Sequence, residues 1–227
     1  MARVAVQLTN FTGGELSPRL DGRNDLQKYP TGCKTLENMI VYPHGSAARR
    51  SGTQFVAEVK DSSKDTRLIP FEFSTTQTYM LEFGNQYIRF YKDNGQILSG
   101  GSAYEIASPY LEAELFDIKF AQSADVMYIC HPNHPVKKLS RTGHTSWTLA
   151  TVSFGGSPSP GITGANNRPS SVSFYEQRLV FAGTNNNPQT LWFSKAGDYE
   201  NFTTGTNADD AMIYTIASNQ VNAIKYL

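Results

Sequence analysis

The chain of 227 residues has no charge surplus of either sign, with 20 Lys+Arg against 20 Asp+Glu and a pI near 6.9. Proteins that coat nucleic acid or lie on an anionic membrane carry a basic excess, so both classes are disfavoured. Long apolar runs are missing as well. None approaches the roughly 20 residues that a membrane-spanning helix requires, and a soluble protein is expected. The start, Met1 to Leu8, has one Arg and no apolar stretch of ~7–15 residues, so it does not read as a secretory signal. Taken as a native start, it implies folding in the cytoplasm. Cysteine is scarce: Cys33 and Cys130 stand 97 positions apart with neither in a CxxC or CxxH frame. A disulfide framework and a zinc knuckle are therefore poor readings, and both thiols are expected to be buried or free. Also absent are a Gly-rich phosphate loop, HExxH, GxSxG and an EF-hand loop.

What the chain does have is aromatic side chains (12%) with only 18% charged residues, a balance that favours strands and turns over helices. From residue 67 onward, short aromatic and β-branched runs alternate with turns, and three segments align. Phe71, Phe120 and Phe174 are 49 and 54 positions apart, and Gly95, Gly143 and Gly197 are 48 and 54 apart. Each segment reads as strand, turn, strand, loop, strand, Gly turn. A period near fifty matches the ~40–50 residues of a four-stranded propeller blade, whose faces need neighbours to be buried. A sandwich of unrelated hairpins is the alternative. Ile224-Lys225-Tyr226 repeats Ile118-Lys119-Phe120 and lies 52 positions after Phe174, as if a further unit began there. It is either a strand that closes the array or, as expected here, the start of a repeat cut short. The expected fold is mostly all-β: antiparallel propeller-like blades with a short helix-containing N-terminal arm. The expected segments are an arm with a short helix and first strand over 1–66, three repeats over 67–220, and the first strand of another over 221–227.

The arm carries the one helical signal, residues 31–40, where a Thr cap precedes Leu36, Met39 and Ile40. Before it, Gly13, Gly14 and Pro18 deny regular structure. After it, residues 53–59 predict the first strand. With 8 Lys+Arg against 5 Asp+Glu, residues 1–60 are mildly basic, which suits a partner-facing patch better than nucleic-acid readout.

Candidates for chemistry are weak. His131 and His134 flank Pro132-Asn133 with no carboxylate close in sequence to complete a zinc site, so a solvated loop is expected. Ser140 to Trp147 resembles the Ser-x-Asp-x-Gly-x-Thr-Trp turn of sialidase-type propellers, but the Asp is missing and Gly143 is one place early. Asp198, Glu200, Asp209 and Asp210 read as loop charges rather than a glycosidase pair. No catalytic, cofactor or metal residue is assigned. Trp147, Trp192, Tyr199 and the Gly/Ser/Pro-rich stretch 155–171 would serve the alternative reading, a carbohydrate-binding or depolymerising propeller.

Residues 11–38, from Phe11-Thr-Gly-Gly-Glu-Leu-Ser-Pro-Arg-Leu20 through Leu36-Glu-Asn38, then Arg49-Arg-Ser-Gly-Thr-Gln-Phe-Val-Ala-Glu58, resemble the start of tail proteins of short-tailed bacteriophages and prophages. Arg178-Leu-Val-Phe-Ala-Gly183 and the stretch from Pro188 to Phe202 do so too. These segments are similar to the tail tubular or nozzle family, also called stabilisation proteins. The resemblance implies a non-enzymatic virion protein whose copies form a ring below the head-to-tail adaptor. It would contact other tail proteins, extend the channel for DNA without gripping it, and need no cofactor. Family members are commonly longer and built around a propeller. In the arm, Leu16, Leu20, Leu26 and Tyr29 offer apolar surface while the charges alternate in sign. The expected assembly interface is therefore Glu15, Leu16, Arg19, Asp21, Arg23, Tyr29, Arg49 and Arg50.

Overall fold

A computed structural model describes residues 7–227. Residues 1–6, which include most of the start read above as lacking a leader, lie outside the described residues. The chain divides into two compact units at Phe55/Val56.

The first unit has four very short strands. β1 (Gly14–Glu15) runs parallel to β2 (Gly32–Cys33), and β3 (Met39–Val41) runs antiparallel to β4 (Ala47–Arg49). Two 3-10 turns, Pro18–Leu20 and Tyr29–Thr31, supply its helical content; each has a Pro in its first turn, where a missing N–H costs nothing. The helix expected over 31–40 does not form. Asn38 stands at φ 57°, a left-handed position that a right-handed helix cannot contain, and Met39 to Val41 pair with Ala47 to Arg49 instead. The strand expected over 53–59 is also absent, and Phe55 is 81% exposed. Gly45 is the only buried residue among residues 7–55.

The second unit is three antiparallel sheets. The first joins β5 (Arg67–Ser74), β6 (Gln77–Gly84), β7 (Tyr87–Lys92) and β11 (Glu105–Ala107), with β8 (Gly95–Gln96) also on β7. A small hairpin, β9 (Leu98–Ser99) and β10 (Ser102–Ala103), interrupts it. The second sheet is a meander of β12 (Lys119–Ser123), β13 (Val126–His131), β14 (His134–Gly143) and β15 (Ser146–Thr151). The third is a meander of β16 (Ser171–Tyr175), β17 (Arg178–Ala182), β18 (Thr190–Phe193) and β19 (Met212–Thr215).

Side chains of a strand alternate between faces, and β13 shows what this does to the packing. Met127 and Ile129 enter one core with Phe71, Leu81, Phe83, Phe90, Leu139 and Trp147. Tyr128 and Cys130 enter another with Val172, Leu179, Phe181, Trp192 and Phe202. The second sheet is thus packed on both faces, which is why its strand β13, Val126–His131, reads as a nearly continuous apolar run. The sheets stack in series, first on second and second on third.

The repeat landmarks map onto this order with one exception. Phe71, Phe120 and Phe174 all lie on the first strand of their sheet, and Gly95, Gly143 and Gly197 all fall at or just after the end of the third. Phe120 and Phe174 face the preceding sheet, whereas the fully buried Phe71 faces the following one, so their equivalence holds only for strand and not for face. Residues 221–227 carry no strand: the Ile224 amide donates to the Pro188 carbonyl at 2.9 Å, and the Lys119 ammonium lies 4.2 Å from the Tyr226 ring centre.

Two buried polar groups are held by dedicated partners. Glu82, almost wholly buried, accepts from the hydroxyls of Tyr87 (2.6 Å) and Tyr91; burial and that carboxylate push the Tyr91 phenol up to about 12. Arg178 donates from Nη1 to the Ser194 and Asp210 carbonyls and from Nη2 to that of Ala208, each at 2.7 Å. It thereby pins the loop between β18 and β19.

Candidate functional site

The eight interface candidates divide by what their side chains already do within the first unit. The Glu15 carboxylate accepts the Leu36 amide at 2.7 Å. Leu16 lies so close to Gly32 that a Cβ there would meet its Cγ at 2.5 Å. The Tyr29 hydroxyl accepts the Gly22 amide at 3.1 Å, and Arg50 Nε donates to Asn38 Oδ1 at 2.8 Å. These four fasten loops to one another. Arg19, Asp21 and Arg49 are exposed, and Arg23 makes a bidentate pair with Asp25, both bonds 2.7 Å. The Arg23 guanidinium holds the Asp25 carboxyl below its ordinary range. Around this polar frame the unit exposes Met39, Ile40, Tyr42 and Phe55.

The histidine pair departs from expectation. Pro132 and Asn133 form a two-residue turn between β13 and β14, so His131 and His134 face each other across the hairpin, on the same side of the sheet. That side faces the first core, since Tyr110 packs against both rings, and His131 is 2% exposed rather than solvated. The missing carboxylate is Glu114, from the 3-10 helix Glu112–Asp117 that links the first two sheets. Glu114 Oε2 accepts the Leu111 amide (3.0 Å) and lies 2.7 Å from His134 Nε2, while Oε1 accepts from Asn133 Nδ2 (3.1 Å). Burial raises the Glu114 carboxyl, but the Leu111 amide, the His134 ring and the Asn133 amide outweigh it and bring it down to about 2. His131 Nδ1 accepts the Asn133 amide at 3.1 Å, and burial, its largest influence, holds the ring below its ordinary pKa.

Short-range spacing could not have found this cluster, because Glu114 precedes His134 by 20 positions. One signal was available for the histidines alone: a two-residue turn puts its flanking residues in register.

The residues offered for sugar stacking lie elsewhere. Trp192 is fully buried and Trp147 5% exposed, each inside a core, and Tyr199 packs 4.9 Å from the Phe174 ring. The stretch 155–171 is anchored, with Ile162 buried and the Pro160 carbonyl accepting Trp192 Nε1–H at 2.7 Å. Ser140 to Trp147 forms the β14–β15 hairpin. Glu200, expected to be solvated, takes the Tyr128 hydroxyl at 3.0 Å and pairs with Lys138, and Lys195 bridges Asp209 and Asp210. The face of the first sheet turned from the second carries an open groove of about 780 Å³, lined by Leu68, Pro70, Met80 and Tyr91. Cys130 is buried, which raises its thiol pKa and keeps it neutral; Cys33 is half-buried, and both are free. Among the described residues, no helix is long and apolar enough to cross a membrane.

No protein-family model matches the chain, and no curated protein matches it.

Proposed function

We propose that this chain is a structural component of a short-tailed phage tail: a ring-forming tube or nozzle subunit that extends the DNA exit channel in the virion. The observation that carries the reading is the first unit. It is ordered by backbone and ion-pair contacts, buries a single one of its described residues, and leaves Met39, Ile40, Tyr42 and Phe55 exposed. An element with that balance is completed by a surface that covers it. The three sheets in series serve as successive blades, and the segments 11–58 and 178–202 supply the likeness to tail proteins. Partners are further copies of the chain, the head-to-tail adaptor and other tail proteins. DNA passes without tight binding, since each Lys or Arg fixed to phosphate would brake it.

A ring contact is heterologous, one patch meeting a different patch on the next copy. The double variant Leu16→Asp, Arg23→Glu tests this. It should leave the melt of the stacked sheets of residues 56–227 as in the parent, by circular dichroism, while losing incorporation into tails. A melt far below the parent, or normal incorporation, overturns the assignment of the interface. Duplex DNA binding below about 1 μM at physiological salt would count against the conduit.

A further inference from the structure

The geometry points to a divalent transition-metal site formed by Glu114, His131 and His134. One ring nitrogen from each histidine and one Glu114 oxygen lie within 4.8 Å of one another. Two imidazoles and a carboxylate are a donor set that suits Zn²⁺ and its first-row neighbours, and three protein ligands leave a coordination position for water. Neither this ligand set nor any metal is part of the tail reading, and the two stand or fall separately.

A second observation singles out the same place. Among the described residues, just two buried side-chain polar atoms lack a hydrogen-bond partner: His131 Nε2 and the Tyr110 hydroxyl. Both belong here, for the Tyr110 ring centre lies 6.2 Å from that of His131 and 5.1 Å from that of His134. A buried polar atom without a partner is costly, and two in one place mark a missing third party. Because His131 Nδ1 accepts the Asn133 amide, the neutral ring carries its proton on Nε2. Metal uptake moves that proton to Nδ1, frees the Nε2 lone pair, and turns the Asn133 amide toward water, which its exposed turn allows. The His134 Nε2–Glu114 Oε2 contact of 2.7 Å, in which the ring donates, opens to the spacing of two ligands on one ion, at ~2.0–2.2 Å each, and the Nε2 proton moves to His134 Nδ1 or leaves to solvent. Glu114 and His134 side chains remain 15% and 19% exposed, so the ion has a way in. Its position on the linker helix and on the β13–β14 hairpin makes it a staple between the first two sheets.

The test uses the full chain, stripped with a chelator and dialysed, then titrated with Zn²⁺ by calorimetry and with Co²⁺ by visible absorption. One equivalent should bind, with the intense d–d bands of a tetrahedral or five-coordinate Co²⁺ site. At a hundredfold excess over Kd, Zn²⁺ should raise Tm by about 5–10 °C. His134→Gln, whose ring is partly exposed and whose loss leaves the cores intact, should weaken Zn²⁺ binding at least tenfold. Glu114→Gln should do the same, and His144→Gln, outside the cluster, should bind as the parent does. If the stripped chain takes up neither ion below about 100 μM, or His134→Gln binds as the parent does, there is no metal site and a trapped water satisfies Tyr110 and His131.

Discussion

The two units solve the same problem, ordering a polar and turn-rich chain, by opposite means. In residues 56–227 the sheets bury Phe71, Phe83, Phe90, Phe181 and Trp192 completely, and hydrogen bonds serve to satisfy what burial traps. In residues 7–55 burial is nearly absent, and order comes from Glu15 on the Leu36 amide, Tyr29 on the Gly22 amide and Arg50 on Asn38. Such bonds contribute about 0.5–1.5 kcal/mol each, less when exposed, so the first unit can be dissected by side chain without unfolding the second.

The largest effect that could break this contrast comes from the core. Phe71→Ala removes a ring wedged against Trp147, centre to centre 4.8 Å, and should cost about 3–5 kcal/mol, lowering Tm by roughly 6–20 °C. Leu16→Ala, half-buried against Gly32, should cost less than half as much. Urea titration of both variants decides the matter; equal losses would mean that the first unit has a core after all.

Next in size is the buried cation. Arg178→Met keeps the volume but strands the carbonyls of Ser194, Ala208 and Asp210, for a loss of about 2–4 kcal/mol. Hydrogen exchange should then rise most over residues 205–210 and leave residues 7–55 unchanged.

A third prediction concerns acid. Glu114 has its folded pKa lowered from 4.5 to about 2, so its contribution is complete above pH 4.5 and is lost as pH falls toward 2. At about 1.4 kcal/mol per unit the total is on the order of 3 kcal/mol. Glu114→Gln should flatten the fall in stability between pH 5 and 2 while changing little at pH 7 beyond a constant offset. An unchanged acid limb in that variant would mean that the three donors to Glu114 do not hold the charged form.

How much of this was written in the sequence follows the same division. The mostly β class, the three sheets and their order were legible from 67 onward, because period-two alternation and turn glycines are local signals that packing reinforces. Residues 31–40 misled, since Leu36, Met39 and Ile40 have helical spacing yet their faces stay half-exposed or exposed, leaving the backbone at Asn38 to decide. Phe71, Phe120 and Phe174 share the first strand of their sheets and an apolar setting but not a face, because a slip of one residue reverses a strand and spacing near fifty does not fix parity. The histidine cluster was illegible as a cluster: its third member arrives through the stacking of two sheets, which no local pattern encodes.

The smallest predicted effect sharpens the contrast at the level of single turns. Glu176 and Gln177 form the two-residue link between β16 and β17 with φ of 45° and 59°, both left-handed, as a type I′ hairpin requires. The link between β7 and β8 has the same signs at Asp93 and Asn94, residues that tolerate them. In the first unit, among the described residues, the left-handed position outside glycine is Asn38, again a tolerant residue. Glu176 and Gln177 are exposed, so their side chains repay none of the backbone cost by packing. The Gln177 carbonyl accepts the Gly197 amide at 2.9 Å, a bond any residue there preserves. Glu176→Asn with Gln177→Gly should therefore stabilise by about 0.5–1 kcal/mol and raise Tm by roughly 1–4 °C, whereas Asn38→Gly, which also loses the bond from Arg50, should give no gain. Calorimetric melts of the two variants resolve shifts of that size, and a gain at Asn38 equal to that at the hairpin would show that strain is shared by both units rather than stored in the stacked sheets.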